Sequence, residues 1–407
     1  MDKNNSEYSK VHLFKLVILS IAMVGTMTTW FSMTAVLPEL VTIWHLNSLQ
    51  GSFVTIMVQI GFVIGSLISA FINLPDRVQP NILILWSAVL AGVSTILTAI
   101  LADHLTHALF FRFITGIALS GVYGPSLKLL STWFRLRRGM ALGFLVGALT
   151  LGSATPHLFR GVATSSWETV LITTGICSII GGIIIRFTVQ VGPYPLPNGM
   201  FDPHAIPRIL RHTPIKLANY GYFGHMWELY AMWSWFGLFL TQSLKSSGFQ
   251  NYSSLSSILT FIVIASGFFG AWFGGVYADK MGREKLTLFS LGVSGTITLC
   301  IGYFFGSSLW LIVILGVVWG ISIIADSAQF SALITEHAEP QYVGTALTLQ
   351  LAIGFFLTII AILSVPLFET LVGWRYAFLI LIPGPILGFL SMLRLLKLKQ
   401  TKIDFGG

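Results

Sequence analysis

Long apolar runs separated by short polar segments are the feature that most constrains how this chain can fold. Twelve runs occur, at roughly residues 14–38, 51–74, 81–102, 105–130, 139–163, 168–190, 214–240, 254–278, 286–306, 309–334, 342–368 and 374–396. Each approaches the roughly 20 apolar residues that a helix needs to cross a bilayer. Only 9% of the residues are charged, against about 25% in soluble domains. The sequence therefore predicts an all-α membrane protein with twelve transmembrane helices.

One polar, proline-rich segment divides the twelve runs into two sets of six. It covers residues 191–213 and contains five prolines, so it cannot be one continuous helix. We therefore predict an N-terminal six-helix bundle over residues 1–190, a linker over 191–213 and a C-terminal six-helix bundle over 214–407. The first run is too long for a signal peptide, and we interpret it as an uncleaved helix.

The basic residues indicate an orientation. If both ends of the chain share one side of the membrane, 18 of the 23 Lys and Arg residues fall on that side and three on the other. Such a bias marks the cytoplasmic face, so we expect both termini and the linker in the cytoplasm, with the protein in a bacterial inner membrane. The net charge of +8 then reflects topology and contact with membrane lipid, and nucleic acid is not an expected partner. We expect a monomer.

A charged, glycine-containing loop follows the eighth run. Its sequence over residues 275–285 is Gly-Val-Tyr-Ala-Asp-Lys-Met-Gly-Arg-Glu-Lys, with its characteristic positions at Gly275, Asp279, Lys280, Gly282 and Arg283. This segment resembles the signature loop of the major facilitator superfamily. The resemblance implies two six-helix bundles that rock about a central site. It also implies that Asp279 and Arg283 pair with neighbouring helix ends in the state closed to the cytoplasm.

Other segments extend the resemblance, and some depart from it. Residues 112–116 resemble the family's Arg-x-x-x-Gly element, and Gly147, Gly152 and Pro156 resemble its gating helix. The first-half copy of the signature keeps Asp76 and Arg77 but has lost its glycines. Residues 224–230, Gly-His-Met-Trp-Glu-Leu-Tyr, resemble a bacterial branch often labelled as nitrate or nitrite porters. The second and eighth runs lack the arginines expected of nitrate porters, so nitrate is disfavoured.

Few ionisable residues lie within the apolar runs. Such residues are costly in a membrane and mark functional sites by default. Glu228 lies near the middle of the seventh run, and His225 falls on the same helical face. We predict that Glu228, His225, Arg112 and Asp326 take part in proton coupling, with Glu228 as the proton carrier and Arg112 as its electrostatic partner. The alternative for each is a structural role that satisfies neighbouring helices.

Deep aromatic and amide side chains form the next layer of predicted site residues. The residues predicted to line a substrate cavity are Trp30, Tyr123, Trp227, Tyr230, Trp233, Trp319, Gln59, Gln329 and Gln350. Packing between helices is the alternative for each aromatic, and hydrogen bonding between helices is the alternative for each amide.

These features favour a secondary active transporter of a small solute, driven by the proton gradient. No P-loop, metal-ligand motif or enzyme motif is present in the sequence, so we expect no metal, no other cofactor and no catalytic activity. Symport and antiport both stay open, and efflux of amphipathic compounds is the alternative that the deep tryptophans suit. A non-transporting membrane receptor is the alternative from another functional class.

Overall fold

The computed structural model describes residues 10–135, 138–163, 166–194 and 201–404. Within these ranges every regular element is helical, and no strand occurs. The α-helices are α1 (Lys10–Met27), α2 (Ser32–Ile43), α3 (Ser48–Phe71), α4 (Leu74–Arg77), α5 (Pro80–Leu101), α6 (Leu105–Ser131), α7 (Arg138–Ala163), α8 (Trp167–Thr188), α9 (Ile206–Arg211), α10 (Thr213–Ser246), α11 (Tyr252–Ala265), α12 (Gly267–Met281), α13 (Arg283–Cys300), α14 (Leu309–Ala325), α15 (Ser327–His337), α16 (Val343–Val372) and α17 (Pro383–Asp404). The predicted all-α fold class is confirmed.

Eleven helical segments of the described chain are long and apolar enough to cross a membrane. They correspond to eleven of the twelve predicted runs. The remaining run, 214–240, lies in α10, which does not reach the same apolarity. Helix α10 is 34 residues long, and 23 of them are buried by other parts of the protein. Its neighbours are chiefly α16 and α17, so protein rather than lipid surrounds many of its polar and aromatic side chains.

Several of these segments are broken into two helices. The first breaks over residues 28–31, between α1 and α2. Another breaks at Ser266, between α11 and α12, and a third breaks at Asp326, between α14 and α15. A helix end leaves backbone N–H and C=O groups without intrahelical partners, so the backbone groups at each break need hydrogen-bond partners from outside the helix. Transporters commonly build their binding sites at such discontinuous helices.

Local sequence sets some helix ends. Asn47 caps α3: its side chain accepts a hydrogen bond from the Gln50 backbone N–H at 2.8 Å, and Gln50 Oε1 accepts from the Asn47 N–H at 3.0 Å. This reciprocal pair is a capping box. Gly282 joins α12 to α13 with a φ of 88°, a backbone conformation that residues with a Cβ rarely adopt. The glycine of the signature loop is therefore required by the turn.

Glycines allow close approach between helices within each half. A Cβ on Gly61 of α3 would lie 2.2 Å from the carbonyl oxygen of Phe113 in α6. A Cβ on Gly274 of α12 would lie 2.2 Å from the carbonyl oxygen of Ala325 in α14. These distances leave no room for a side chain, so both glycines act as small residues that let neighbouring helices pack closely.

The two halves meet along two seams. Helix α7 packs against α11 and α12, and α3 packs against α16. The linker is not a single helix: it contains a 3₁₀ turn at Pro203–Ala205 and the short helix α9. Residues 195–200 of the predicted linker lie outside the described residues. The Asp202 backbone N–H donates to Thr345 Oγ1 of α16 at 2.9 Å, which ties the end of the linker to the second half.

Candidate functional site

Glu228 lies in the middle of α10 and is fully buried. Its carboxylate accepts three hydrogen bonds, from Ser294 Oγ at 2.9 Å, Thr298 Oγ1 at 2.5 Å and Trp319 Nε1 at 2.7 Å. Ser294 and Thr298 are one turn apart on α13, so both hydroxyls face α10. Trp319, which was predicted to line the cavity, comes from α14. The arrangement holds one carboxylate between three helices of the second half.

The donors around Glu228 are all neutral. Among the described residues no ion pair reaches this carboxylate, whereas the buried Glu284 is paired with Lys399 at 2.9 Å. Burying an ionised carboxylate without a cation is expensive, and hydrogen bonds from neutral groups offset only part of that cost. Glu228 is therefore a buried carboxylate that only neutral donors compensate in the described part of the chain.

His225 and Asp326 form a second buried pair close by on α10. His225 Nδ1 lies 2.9 Å from Asp326 Oδ1, and the two side chains are 1% and 2% exposed. Asp326 occupies the break between α14 and α15. His225 therefore contacts Asp326, although its spacing on α10 also places it one turn from Glu228. Three of the four residues predicted for proton coupling lie in the second half, on α10 and on the broken span that packs against it.

Arg112 has other partners. Its guanidinium Nη1 donates to the Thr29 carbonyl at 2.8 Å and to Ser32 Oγ at 3.2 Å, and Nη2 donates to the Trp30 carbonyl. These acceptors lie at the break in the first span, where α1 leaves carbonyl groups unpaired. No ion pair joins Arg112 to Glu228 in the described part of the chain. The predicted electrostatic partnership is thus replaced by a contact that stabilises the break between α1 and α2.

Replacing Arg112 tests this role directly. In Arg112→Met the carbonyls of Thr29 and Trp30 lose their donor, and each buried unpaired polar group costs about 1–3 kcal/mol. We expect the thermal midpoint of the purified protein to fall by about 2–7 °C. The control is Lys245→Met, because Lys245 is exposed in the last turn of α10, and surface substitutions usually change stability by no more than about 0.5 kcal/mol. Equal midpoints for the two variants would contradict the assignment.

Aromatic side chains meet where the two halves face each other. Trp30 and Phe62 come from the first half, and Tyr230 and Phe355 come from the second. The ring centroids of Trp30 and Phe62 are 4.9 Å apart, those of Phe62 and Phe355 4.5 Å, and those of Tyr230 and Phe355 5.2 Å. We call these four residues the aromatic cluster.

Two further predicted aromatics border the aromatic cluster, whereas Trp227, like Trp319 beside Glu228, has its contacts within the second half. Tyr123 lies 6.4 Å from Phe62, and Trp233 lies 5.6 Å from Tyr230, between ring centroids. Trp227 instead donates from Nε1 to the carbonyl oxygen of Ile380 at 3.2 Å, within the second half. The structure thus collects Trp30, Tyr123, Tyr230 and Trp233 at the interface, and the role predicted for Trp227 stays a prediction.

Two of the three predicted amides are satisfied by protein partners. Gln350 Nε2 donates to Asn219 Oδ1 at 3.1 Å, and Gln350 Oε1 accepts from Ser331 Oγ at 3.2 Å. Gln329 Oε1 accepts from Arg283 Nη1 at 2.8 Å. Gln59 differs, because it is fully buried and neither polar atom of its amide has a hydrogen-bond partner in the described part of the chain.

The signature loop lies where the halves touch at one end of the bundle. Arg283 Nη2 is 3.6 Å from Asp279 Oδ1, and Arg283 Nε is 2.6 Å from Glu336 Oε1. A Cβ on Gly275 would lie 2.6 Å from the carbonyl oxygen of Gly139 at the start of α7. Backbone therefore meets backbone between the halves at this end.

The remaining predicted loop residues have local contacts. Asp76 pairs with Lys128 within the first half. Arg77 ends the short helix α4. Lys280 Nζ lies 5.8 Å above the ring of Tyr277. None of these contacts joins the two halves in the described part of the chain.

Asp103, His104 and His107 form the one group of three potential metal ligands within the described residues. All three are exposed: Asp103 and His104 lie in the turn between α5 and α6, and His107 lies in the first turn of α6. The hydrogen bond from the His104 ring lowers the pKa of the Asp103 carboxyl. The sequence signal was the Asp-His-x-x-His spacing, which the sequence analysis did not single out. The expectation that the protein holds no metal stays a prediction.

Comparison with known proteins places this arrangement among transporters. The family model described as Major Facilitator Superfamily matches residues 19–349 and, in a second match, residues 220–405. The niacin transporter NiaP of Acinetobacter baylyi is 24% identical over 316 residues, 67% of this chain and 67% of that protein. The Fujikurins efflux protein of Gibberella fujikuroi is 22% identical over 228 residues, 56% of this chain and 48% of that protein.

A solved structure shows the same fold. It is the crystal structure of a bacterial homolog of the human lysosomal transporter Spinster, in an inward-facing and occupied conformation. It matches with a TM-score of 0.72 over 96% of this chain and 97% of that chain, at 14% sequence identity. At that identity the likeness speaks for the architecture and not for the substrate.

Proposed function

Because the chain belongs to the major facilitator superfamily, we propose that it is a secondary active transporter that moves a small solute by alternating access, with the proton gradient as its energy source. The family and the transporter relatives make it an integral membrane transporter and not an enzyme. To this we add three proposals: the transport mechanism, the coupling ion and the side of the membrane on which the termini lie.

In this proposal α10 is the twelfth span. Its 34 residues correspond to about 51 Å at 1.5 Å per residue, more than the thickness of a bilayer core. Its low apolarity is compatible with a span because most of its surface faces α16, α17 and other helices. Twelve spans place both termini on one side, and the basic residues favour the cytoplasm. We assign the protein to a bacterial inner membrane in that orientation.

The contacts between the halves support alternating access. The aromatic cluster joins the first half to the second near the breaks in the spans. On either side of it α7 contacts the second half: Ser254 Oγ of α11 donates to the Gly161 carbonyl at 2.5 Å, and Gly275 of α12 packs on Gly139. Opening one end while the other stays closed exposes the cluster to one side of the membrane at a time.

Glu228 is the observation that carries proton coupling. Its carboxylate is buried among neutral donors, and protonation removes the cost of an uncompensated charge. When the halves part and water enters, the ionised form is solvated again, so the proton is taken up in one state and released in another. His225 and Asp326, one turn away and at a helix break, form a second site that the same movement rearranges.

Reconstitution tests the proposal. Purified protein in proteoliposomes that contain a pH-sensitive dye is exposed to a panel of small solutes, with and without an imposed pH gradient. We expect at least one solute both to accumulate with the gradient and to move protons when no gradient is imposed. Accumulation that ignores the pH gradient but follows a sodium gradient would reject proton coupling. If no solute moves under any condition, and counterflow is also absent, the non-transporting receptor is favoured.

Efflux of an amphipathic compound is the second candidate function, favoured by the aromatic cluster and by the efflux relatives of the chain. A deletion strain distinguishes the two directions. Increased susceptibility to a panel of amphipathic toxic compounds supports export. Lost growth on single carbon or nitrogen sources, with unchanged susceptibility, supports uptake.

A further inference from the structure

The aromatic cluster adjoins a set of buried polar atoms that the protein itself does not satisfy. Gln59 Oε1 and Nε2, Trp30 Nε1 and Arg112 Nε all lack hydrogen-bond partners among the described residues, and the three residues are at most 1% exposed. An unpaired buried polar group costs about 1–3 kcal/mol, so three such residues in one region need an explanation. The satisfied amide of Gln350, equally buried in the second half, shows that depth alone does not leave an amide without partners.

Helix geometry brings these three residues together. Phe62, three residues after Gln59, contacts the Trp30 ring at 4.9 Å, and Thr55, four residues before Gln59, bonds to Thr34 Oγ1 at 2.7 Å. Residues three and four apart share a helix face, so Gln59 faces the break in the first span.

Arg112 lies at the same level. Gly116 follows it by one turn on α6, and a Cβ on Gly116 would lie 2.2 Å from the Val58 carbonyl oxygen, next to Gln59. Arg112 also donates to the Trp30 carbonyl. The guanidinium, the indole and the amide thus lie on neighbouring helical segments at a similar level, beside the aromatic cluster.

The chemistry of these groups specifies a ligand. Three of the four unpaired atoms are nitrogen donors and only one is an acceptor, so the missing partner is rich in acceptors. Arg112 is buried without an ion pair in the described part of the chain, and guanidinium groups suit planar oxyanions. Flat rings favour stacked or edge-on contact with another flat ring. These three requirements meet in a small aromatic molecule that carries a carboxylate.

We propose that the transported solute is a small planar aromatic carboxylate. Its ring inserts between Trp30 and Phe62 on one side and Tyr230 and Phe355 on the other, and its carboxylate accepts from Gln59, Trp30 Nε1 and Arg112 Nε. The inference rests on the proposed transport function, because the cluster opens only when the halves separate. Binding pairs the buried guanidinium with an anion and gives an acceptor to the three nitrogen donors, Gln59 Nε2, Trp30 Nε1 and Arg112 Nε.

Equilibrium binding to the purified protein tests the proposal without requiring transport. The probes are benzoate and nicotinate, with benzamide as the uncharged analogue and cyclohexanecarboxylate as the non-planar one. We expect both aromatic carboxylates to raise the thermal midpoint and to quench tryptophan fluorescence, with affinity at least tenfold higher than either analogue. Similar affinity for all four probes, or no binding, overturns the proposal.

Two matched leucine variants separate a ligand contact from a structural one. Gln59→Leu is expected to weaken benzoate binding at least tenfold while the ligand-free midpoint stays the same or rises, because an unpaired amide is removed. Gln350→Leu is expected to lower the ligand-free midpoint, because Asn219 and Ser331 lose their partner, and to leave benzoate affinity within twofold. A fall in midpoint for Gln59→Leu with unchanged affinity contradicts the proposal.

The outcome is distinguishable from failure of the proposed function. Benzoate binding that depends on Gln59, combined with transport insensitive to pH, rejects proton coupling and retains the substrate class. Proton-coupled transport of another solute, with no benzoate binding, retains the transporter and rejects the substrate class.

Discussion

Proteoliposomes carrying Glu228→Gln are expected to lose pH-gradient-driven accumulation by at least about 100-fold while they keep solute counterflow. Glutamine preserves the hydrogen bonds from Ser294, Thr298 and Trp319 in part but cannot exchange a proton. Counterflow requires only the return of the loaded protein, so it survives when the proton-exchange step is lost. The measurement is initial uptake under an imposed gradient, compared with exchange at equal pH on the two sides.

Glu284→Gln is the matched control for this experiment. Glu284 is also a buried glutamate, but it lies at the start of α13 and pairs with Lys399 of α17, whereas Ser294, Thr298 and Trp319 surround Glu228. We expect pH-gradient-driven accumulation by Glu284→Gln to stay within twofold of that by the unsubstituted protein. Gradient-driven accumulation that persists in Glu228→Gln would remove Glu228 as the carrier, and equal losses in both variants would point to a general effect of removing buried charge.

The second large effect is expected from Gly275→Ala. The added Cβ would lie 2.6 Å from the Gly139 carbonyl oxygen, and backbone cannot move aside as a flexible side chain can. Overpacking typically costs about 1–3 kcal/mol. Because the contact exists only while the halves are closed at this end, the cost falls on that state, and its population relative to the open state drops by about tenfold or more. We expect transport to slow by a similar factor.

Gly124→Ala controls for the loss of a helical glycine. A Cβ on Gly124 meets no atom of the described residues within 4 Å, so we expect transport to stay within twofold and the helix to gain slightly in stability. Site-directed labelling of single cysteines at the signature-loop end provides the second readout. Increased labelling in Gly275→Ala alone supports the contact as a closure point, whereas unchanged labelling with unchanged transport argues against it.

The membrane-spanning helices could be predicted from the sequence because the length of each apolar run can be read directly along the chain. Eleven of the twelve predicted runs coincide with segments that are apolar enough to cross a membrane, and the division at the proline-rich segment follows from the same pattern. That division into two units stays a prediction, as do the roles of the site residues. Only α10 is less apolar than the other spans, because other helices, chiefly α16 and α17, cover much of its surface.

The partners of the site residues were less accessible. Glu228 stands out as a carboxylate in an apolar run, but Ser294 and Thr298 resemble ordinary small residues, and only their one-turn spacing signals a shared face. Arg112 was assigned to Glu228 because opposite charges attract, whereas the break in the first span supplies its acceptors. A break over residues 28–31, which read as Thr-Thr-Trp-Phe, carries no glycine or proline to reveal it. Long-range contacts of this kind depend on how helices pack, which periodicity does not specify.

The burial of α10 has a consequence for how the protein is made. A segment that is not apolar enough to move by itself from the translocation channel into lipid enters the bilayer only together with partners that cover its polar face. Its chief partners, α16 and α17, are synthesised last. We therefore expect α10 to complete its insertion late, after the end of the chain has emerged. Truncations that remove α17 should then expose α10 to degradation while the first half inserts normally.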